Sequence, residues 1–127
     1  MCLKTSYRGR NNPKTDITVY KVLIHLDDGR ILAPFTRYEY KLDEVLVDDA
    51  KEEVKNKGAA KLISSGYFHS CTTLDSARAL IANQLQKVKK EKIFIHKGIV
   101  PARTKYYTDN KGNICAKSIK IMSEICS

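Results

Sequence analysis

The segment GYFHSC, residues 66–71, holds the densest group of chemically reactive side chains in the sequence. An imidazole, a hydroxyl and a thiol follow one another at His69, Ser70 and Cys71, just before a predicted helix. A helix N-terminus attracts anions and lowers the pKa of a nearby thiol. Because side chains alternate along a strand, His69 and Cys71 share a face that Ser70 does not. Tyr67, His69 and Cys71 are therefore candidate ligand-binding residues. The pattern favours the alternative of a buried strand with Cys71 in the core.

Positive charge is the second chemical signal. The chain of 127 residues carries a formal net charge of +9. Within residues 87–120, ten Lys or Arg side chains stand against only Glu91 and Asp109. A surface of one sign attracts phosphate backbones and other polyanions, although a solvated soluble surface has the same composition. The charge distribution therefore predicts nucleic acid as the first candidate partner and an acidic protein as the second.

Two short segments carry positive charges in patterns that suit nucleic acid. The polar opening, residues 1–16, carries Arg8 and Arg10 and is broken by an Asn-Asn-Pro sequence, so it predicts a basic, partly flexible arm. Arg103, Lys105 and Tyr106 place cations beside an aromatic ring that could stack on a base. These five residues are the candidate nucleic-acid-binding residues. Packing of Tyr106 across a hairpin is the alternative.

The histidines and cysteines do not form a metal-binding pattern. Cysteines stand at positions 2, 71, 115 and 126 without a C-x-x-C pair. His25 and His96 lie in apolar strands, where each is expected to join a local hydrogen-bond network rather than bind a metal. No phosphate-binding glycine loop and no hydrolase motif is present. We therefore expect no metal, no cofactor and no assigned catalytic residue, and enzymatic activity is the less favoured class.

The opening residues contain no apolar segment typical of a secretory signal, and no apolar run reaches the roughly 20 residues of a membrane span. These features predict a cytoplasmic protein with reduced thiols and no membrane contact.

The elements that would position these residues are mostly strands. ITVYKVLIHL, residues 17–26, predicts a buried strand that turns back through Asp27-Asp28-Gly29. Further strands are predicted over 61–71, where Gly66 interrupts the strand, and over 92–100, 105–108 and 114–122, the last two joined by a turn through Gly112. Residues 48–57 suggest a short exposed helix that stops at Gly58. Residues 37–47 favour no single element.

One helix, over about residues 73–90, is the strongest helical pattern. Thr72-x-x-Asp75 resembles a capping box, and Leu74, Ala77, Ile81, Leu85 and Val88 recur at helical spacing. The sequence thus predicts an α+β domain over residues 17–127, with a largely antiparallel sheet of five to seven strands and the main helix packed on one face. Strand order and oligomeric state are not predicted.

Three stretches together resemble small uncharacterised proteins of gut bacteria and of their phages or prophages. They are residues 17–42 (ITVYKVL and LAPFTRYEYKL), 66–82 (GYFHSCTTLDSARALIA) and 99–121 (IVPARTKYY, GN and AKSIKI). The resemblance covers roughly half the chain and implies a compact accessory domain of unknown activity. A first strand containing Val19-Tyr20-Lys21-Val22, followed by Gly-aromatic-His and a helix, is loosely similar to the ADP-ribosyltransferase layout. Lys21 replaces the Arg or His of that layout, and no clear catalytic Glu follows.

The sequence therefore leads to a small binding module with a basic face as the first hypothesis. A small enzyme or nucleotide-binding domain that uses the Tyr67–Cys71 strand end is the second. A phage-type protein-interaction or inhibitor domain is the third.

Overall fold

In the computed structural model, one helix packs on a large antiparallel sheet, and a smaller sheet accompanies it. The structure describes residues 3–5, 15–34, 38–47, 53–57, 60–65, 68–86, 92–104, 106–108 and 112–126. Its strands are β1 (Leu3–Thr5), β2 (Ile17–His25), β3 (Ile31–Leu32), β4 (Val45–Val47), β5 (Glu53–Lys57), β6 (Ala60–Ser65), β7 (Phe68–Cys71), β8 (Ile93–Val100), β9 (Tyr106–Thr108), β10 (Asn113–Ala116) and β11 (Ser118–Cys126). The helix α1 spans Leu74–Gln84.

Seven strands of the large sheet follow the order β4-β11-β8-β2-β7-β10-β9, and β3 pairs with β2 in addition. The small sheet has the order β1-β6-β5. Each strand pair in the described part of the chain is antiparallel. The predicted α+β class, with one main helix on a largely antiparallel sheet, is confirmed.

The turn chemistry explains the two hairpins that the sequence predicted. Gly29, with φ of +90°, closes the turn between β2 and β3. Gly112, with φ of +84°, lies where the chain returns from β9 into β10. A residue with a Cβ rarely adopts a positive φ, so each glycine suits its turn. A Cβ at Gly112 would also lie 2.4 Å from the Ser76 hydroxyl oxygen.

The helix begins one residue later than the capping-box spacing indicated. The Thr73 hydroxyl accepts a hydrogen bond from the Ser76 backbone N–H at 3.1 Å, which makes Thr73 the N-cap. The Thr72 hydroxyl instead donates to the Gly112 carbonyl at 3.2 Å. The helix ends at Gln84, ahead of the predicted boundary near residue 90, and residues 87–90 lie outside the described residues.

The sheet separates two apolar cores. Val19, Leu23 and Phe68 belong to the core on one face, together with Ile119 and Ile121. The opposite core, beneath the helix, contains the buried residues Val22, Cys71, Ala77, Leu85 and Ile95. Alternation along β2 sends odd-numbered residues to the first core and even-numbered residues to the helix side, so this strand is buried on both faces.

Two sequence-based element predictions were wrong. Residues 53–57 form strand β5 rather than a helix, because pairing with β6 satisfies a backbone that lacks a helical apolar face. Residues 114–122 form two strands rather than one. The strand is interrupted by a bend at Lys117. The residues after it form β11, which pairs with β4 and β8.

The opening arm is only partly described. Residues 3–5 form strand β1, which pairs with β6, and residues 6–14 lie outside the described residues. Among the described residues, no helix is long and apolar enough to cross a membrane.

Candidate functional site

Strand β7 places the candidate residues of the GYFHSC segment on two faces of the sheet. In the ladder between β7 and β10, His69 pairs with Cys115, and Ser70 pairs with Ile114. Cys71 lies in the core beneath the helix. Phe68 lies in the opposite core, and Ser70, two residues further along the strand, faces the same side as Phe68. His69 and Cys71 therefore share the helix side, as the alternation predicted. Tyr67 lies outside the described residues.

A small cavity opens where β7 separates from β2. The ladder between these strands is confined to Tyr20 and Cys71, and β3 joins the same edge of β2 only at Ile24 and His25. The cavity has a volume of about 20 Å³. It is lined by Tyr20, Lys21, Val22, Pro34, His69, Ser70, Cys71 and Leu80. The structure thus brings two of the three candidate ligand-binding residues, His69 and Cys71, to one cavity.

Lys21 is the buried cation of this cavity. The residue is 9% exposed, and its ammonium donates a hydrogen bond to the His69 backbone carbonyl. Its Nζ also lies 5.4 Å from the centroid of the Tyr40 ring, a cation–π contact. No ion pair joins Lys21 to an Asp or Glu among the described residues. The charge is therefore held by a carbonyl and an aromatic face.

Burial changes the acid–base chemistry of this amine. Desolvation lowers the pKa of Lys21 from 10.5 to about 8, and the nearby Cys71 opposes part of that change. At pH 7 most of the ammonium is still protonated. Above that pKa a growing fraction of the buried amine is neutral, and a neutral lysine amine is a nucleophile.

The cavity volume limits what the site can hold. A space of about 20 Å³ accommodates about one water molecule. The Ser70 hydroxyl, in a residue that is 4% exposed, has no hydrogen-bond partner among the described residues. This space is far too small for a nucleotide or a nicotinamide cofactor.

A second polar cluster lies on the same face of β2. The Nε2 atoms of His25 and His96 lie 2.8 Å apart, and His96 Nδ1 lies 2.9 Å from the Met122 carbonyl oxygen. The carbonyl can only accept, so His96 Nδ1 carries a proton. In the neutral pair, His96 Nε2 then accepts the N–H of His25. Each histidine thus joins a local hydrogen-bond network, as predicted.

A bulge in β11 supplies the carbonyl of that network. The register between β11 and β8 shifts between Ile121 and Ile125. Asp43, with φ of +61°, donates its N–H to the Ile121 carbonyl and accepts the Ser123 N–H at 3.2 Å.

Two effects lower the pKa of His25 below 6.5: burial is the larger, and the adjacent His96 is the smaller.

The candidate nucleic-acid-binding residues are described only in part. Arg103 is exposed, with φ of +65°, in the turn after β8. Tyr106 begins β9 and packs partly against the first core, so much of its ring serves packing. Arg8, Arg10 and Lys105 lie outside the described residues.

The strand register gathers cations at one end of the large sheet. Lys120 pairs with Ile99, one residue before the end of β8. Lys117 immediately precedes β11 and follows Ala116, which pairs with Tyr106. Arg103 lies in the turn that leaves β8. We call Arg103, Lys117 and Lys120 the basic end.

Ion pairing distinguishes the basic end from other cations. Lys92 lies 3.4 Å from a carboxylate oxygen of Asp27, and Lys97 lies 3.9 Å from one of Glu124. No ion pair involves a residue of the basic end in the part of the chain that the structure describes. Asp16 lies at the same end of the sheet, where its carboxylate accepts the Ala102 N–H at 2.8 Å.

Sequence reasoning missed the central residue of the cavity. Lys21 entered only as a departure from the ADP-ribosyltransferase layout. The available signal was a lysine inside ITVYKVLIH, because a cation in a strand buried on both faces must lie in the interior. Its partners could not be read from the sequence, since His69 lies 48 positions away.

Within the described residues, no group of three or more His, Cys, Asp or Glu side chains could hold a metal ion. Comparison of the chain with protein-family models, with curated proteins and with solved structures gave no match.

Proposed function

We propose that this chain is a cytoplasmic binding module whose basic end contacts the phosphate backbone of nucleic acid. The observation that carries the proposal is the grouping of Arg103, Lys117 and Lys120 at one end of the sheet without a described ion-pair partner. Cations without an ion-pair partner in the protein are available to pair with an external anion. Phosphate contacts supply most of the non-specific affinity for nucleic acid.

The overall charge and the cysteines support the same proposal. The net charge of +9 attracts polyanions over long range. Cys71, Cys115 and Cys126 form no disulfide, which is typical of proteins in a reducing compartment. The enzyme or nucleotide-binding alternative has less support, because the cavity beside His69 and Cys71 has room for about one water molecule.

The experiment is a titration of single-stranded DNA by fluorescence anisotropy between about 50 and 200 mM salt, the range over which phosphate contacts lose affinity steeply. The test variant changes Arg103, Lys117 and Lys120 to Gln. The matched control changes Arg30, Lys41 and Arg78 to Gln, which removes the same charge elsewhere. Arg30 and Arg78 each pair with a nearby aspartate, and Lys41 is exposed.

If the three residues contact phosphates, the test variant should lose at least about tenfold in affinity at low salt. Its slope of log K against log salt should fall by about 2, since each single-strand contact contributes about 0.7. Equal losses in both variants would show that only total charge matters. No binding by the wild type at low salt would contradict the proposal and turn the search to an acidic protein partner.

A further inference from the structure

An aromatic cluster formed by Tyr38, Tyr40 and Phe68 lies on the face of the large sheet opposite the helix. The ring centroids of the two tyrosines lie 5.0 Å apart, and they lie 5.6 and 5.9 Å from that of Phe68. Tyr40 and Phe68 are buried in the first core, whereas Tyr38 is 45% exposed. The cluster therefore presents one large aromatic side chain to solvent.

Backbone and ring contacts hold Tyr38 in place. Its carbonyl accepts the Ala33 N–H at 2.8 Å, and the Tyr40 N–H donates to the Ile31 carbonyl at 2.8 Å. Its ring meets those of Tyr40 and Phe68 at interplanar angles of 75° and 70°, the edge-to-face arrangement that aromatic pairs favour. A ring that is already ordered in this way loses little conformational freedom when a flat ligand stacks on it.

The strand register places this ring near the basic end. Phe68 pairs with Ala116 in the ladder between β7 and β10. The next residue, Lys117, is exposed and belongs to the basic end. Because Tyr38 packs on Phe68, an exposed ring and an exposed cation occur within two neighbouring strands.

The carboxylate of Glu39 lies next to Tyr38 in the chain but faces the other way. Glu39 forms an isolated antiparallel bridge with Leu32, and the hydrogen bonds of Tyr38 and Tyr40 on either side keep this segment extended. Side chains alternate along extended backbone, so Glu39 points away from the face that carries the two tyrosines. Its charge therefore does not oppose an anion on that face.

Aromatic rings beside cations bind single-stranded nucleic acid, because the ring stacks on a base while the cations contact nearby phosphates. We propose that Tyr38 stacks on an unpaired base of a single strand whose phosphates contact the basic end. The inference rests on the proposed function and adds the class of nucleic acid. It assigns the stacking to Tyr38 rather than Tyr106, whose ring packs partly against the first core.

The test compares a thymidine oligonucleotide with an abasic oligonucleotide of the same length and charge, by fluorescence anisotropy at about 50 mM salt. The wild type should bind the thymidine strand about tenfold more tightly, the contribution of one stacked base. Tyr38→Leu should bind both strands equally and keep the wild-type salt dependence, because its phosphate contacts remain. Tyr38→Phe retains a ring and is the matched control. The same comparison with uridine RNA identifies the preferred sugar.

The outcomes separate this inference from the proposed function. Equal affinity of the wild type for the thymidine and abasic strands would overturn the stacking and leave the basic end intact. A larger loss of thymidine affinity in Tyr106→Leu than in Tyr38→Leu would assign the stacking to Tyr106 and also overturn the inference. No binding of either strand by the wild type would overturn both proposals.

A second measurement detects the stacking without comparing affinities. The chain contains no tryptophan, so Tyr38→Trp introduces a single indole as a fluorescent reporter. Stacking on a base quenches indole emission. We expect the thymidine strand to quench this emission and the abasic strand to leave it unchanged. Unchanged emission in the thymidine complex, while anisotropy reports binding, would contradict the inference.

Discussion

Two polar clusters lie on one face of β2, four residues apart, and they differ in how completely their hydrogen bonds are satisfied. At His25 and His96, the paired Nε2 atoms and the Met122 carbonyl form a chain with distances of 2.8 and 2.9 Å. At Lys21, a cation meets one carbonyl and one aromatic ring beside a cavity. The two clusters are also adjacent, because Lys21 in β2 pairs directly with His96 in β8.

This difference predicts different contributions of the two clusters to stability. A buried polar network stabilises a fold when each group has a partner, and it costs free energy when donors remain unused. His96 is 1% exposed, and both of its ring nitrogens are engaged. Lys21 retains charge and donor capacity that its described neighbours do not match. We therefore expect opposite effects when each residue is replaced.

The largest effect is expected for His96→Ala. The substitution leaves a cavity in the core and deprives the Met122 carbonyl and the His25 N–H of their partners. The free energy of unfolding should fall by about 4 kcal/mol. Urea denaturation of the variant, beside the half-buried neighbour His25→Ala as the milder control, measures this loss. A loss below about 1 kcal/mol would mean that the histidine chain contributes little.

Lys21→Met should have the opposite sign. The folded-state pKa, about 8, lies below the unfolded value of 10.5, so between these values the unfolded chain holds a proton that the folded chain lacks. Wild-type stability should therefore rise by about 3 kcal/mol across this window. At lower pH the wild type lacks that contribution. There the variant should be more stable by about 2 kcal/mol, because loss of a hydrogen bond offsets about 1 kcal/mol.

Denaturation of both proteins across this pH range checks the prediction for Lys21→Met. Other groups that titrate near pH 10 cancel in the comparison, and Lys41→Met provides an exposed lysine as control. A variant that is less stable than the wild type at pH 7, with the same pH dependence, would show that Lys21 is fully compensated.

The histidine chain should also respond to acid. Because burial and His96 lower the pKa of His25 below 6.5, the unfolded chain takes up this proton first as pH falls. The free energy of unfolding should therefore decrease below pH 6.5 and recover above it. His25→Gln, which keeps an N–H donor, should flatten this dependence. An unchanged slope in the variant would assign the acid response to other groups.

The smallest effect is expected for Ser70→Ala. Its hydroxyl has no described partner to lose, so stability should change by less than about 0.5 kcal/mol. Thr73→Ala is the contrasting control, because the Thr73 hydroxyl caps the helix and its loss should cost about 1 kcal/mol. A larger loss for Ser70→Ala than for Thr73→Ala would reveal a partner of the Ser70 hydroxyl.

The elements that could be predicted from the sequence depend on local signals. Gly29 and Gly112 mark turns, and the helical spacing of Leu74, Ala77 and Ile81 predicts α1, because each signal acts within a few residues. The helix start was off by one residue because Thr72 and Thr73 are both suitable caps. The Thr72 hydroxyl is engaged by the distant Gly112 carbonyl, and the Thr73 hydroxyl caps the helix.

The candidate site depends on long-range contacts, which local signals do not encode. His25 and His96 are 71 positions apart, and Lys21 meets the His69 carbonyl across 48 positions. Their meeting follows from strand order, since β8 and β7 flank β2 although neither adjoins it in the chain. Alternation in GYFHSC could assign faces to His69 and Cys71, but it could not show that Lys21 borders the same space.

A titration of Lys21, followed by the ¹³Cε chemical shift of its side chain, tests most directly whether this lysine is a buried cation. Lys21→Met identifies the resonance, and Lys41 serves as an exposed reference in the same spectrum. If Lys21 is a buried cation without a described counter-charge, its titration midpoint should lie near pH 8. A midpoint near 10.5, the ordinary lysine pKa, would show that the amine reaches water and would contradict the account.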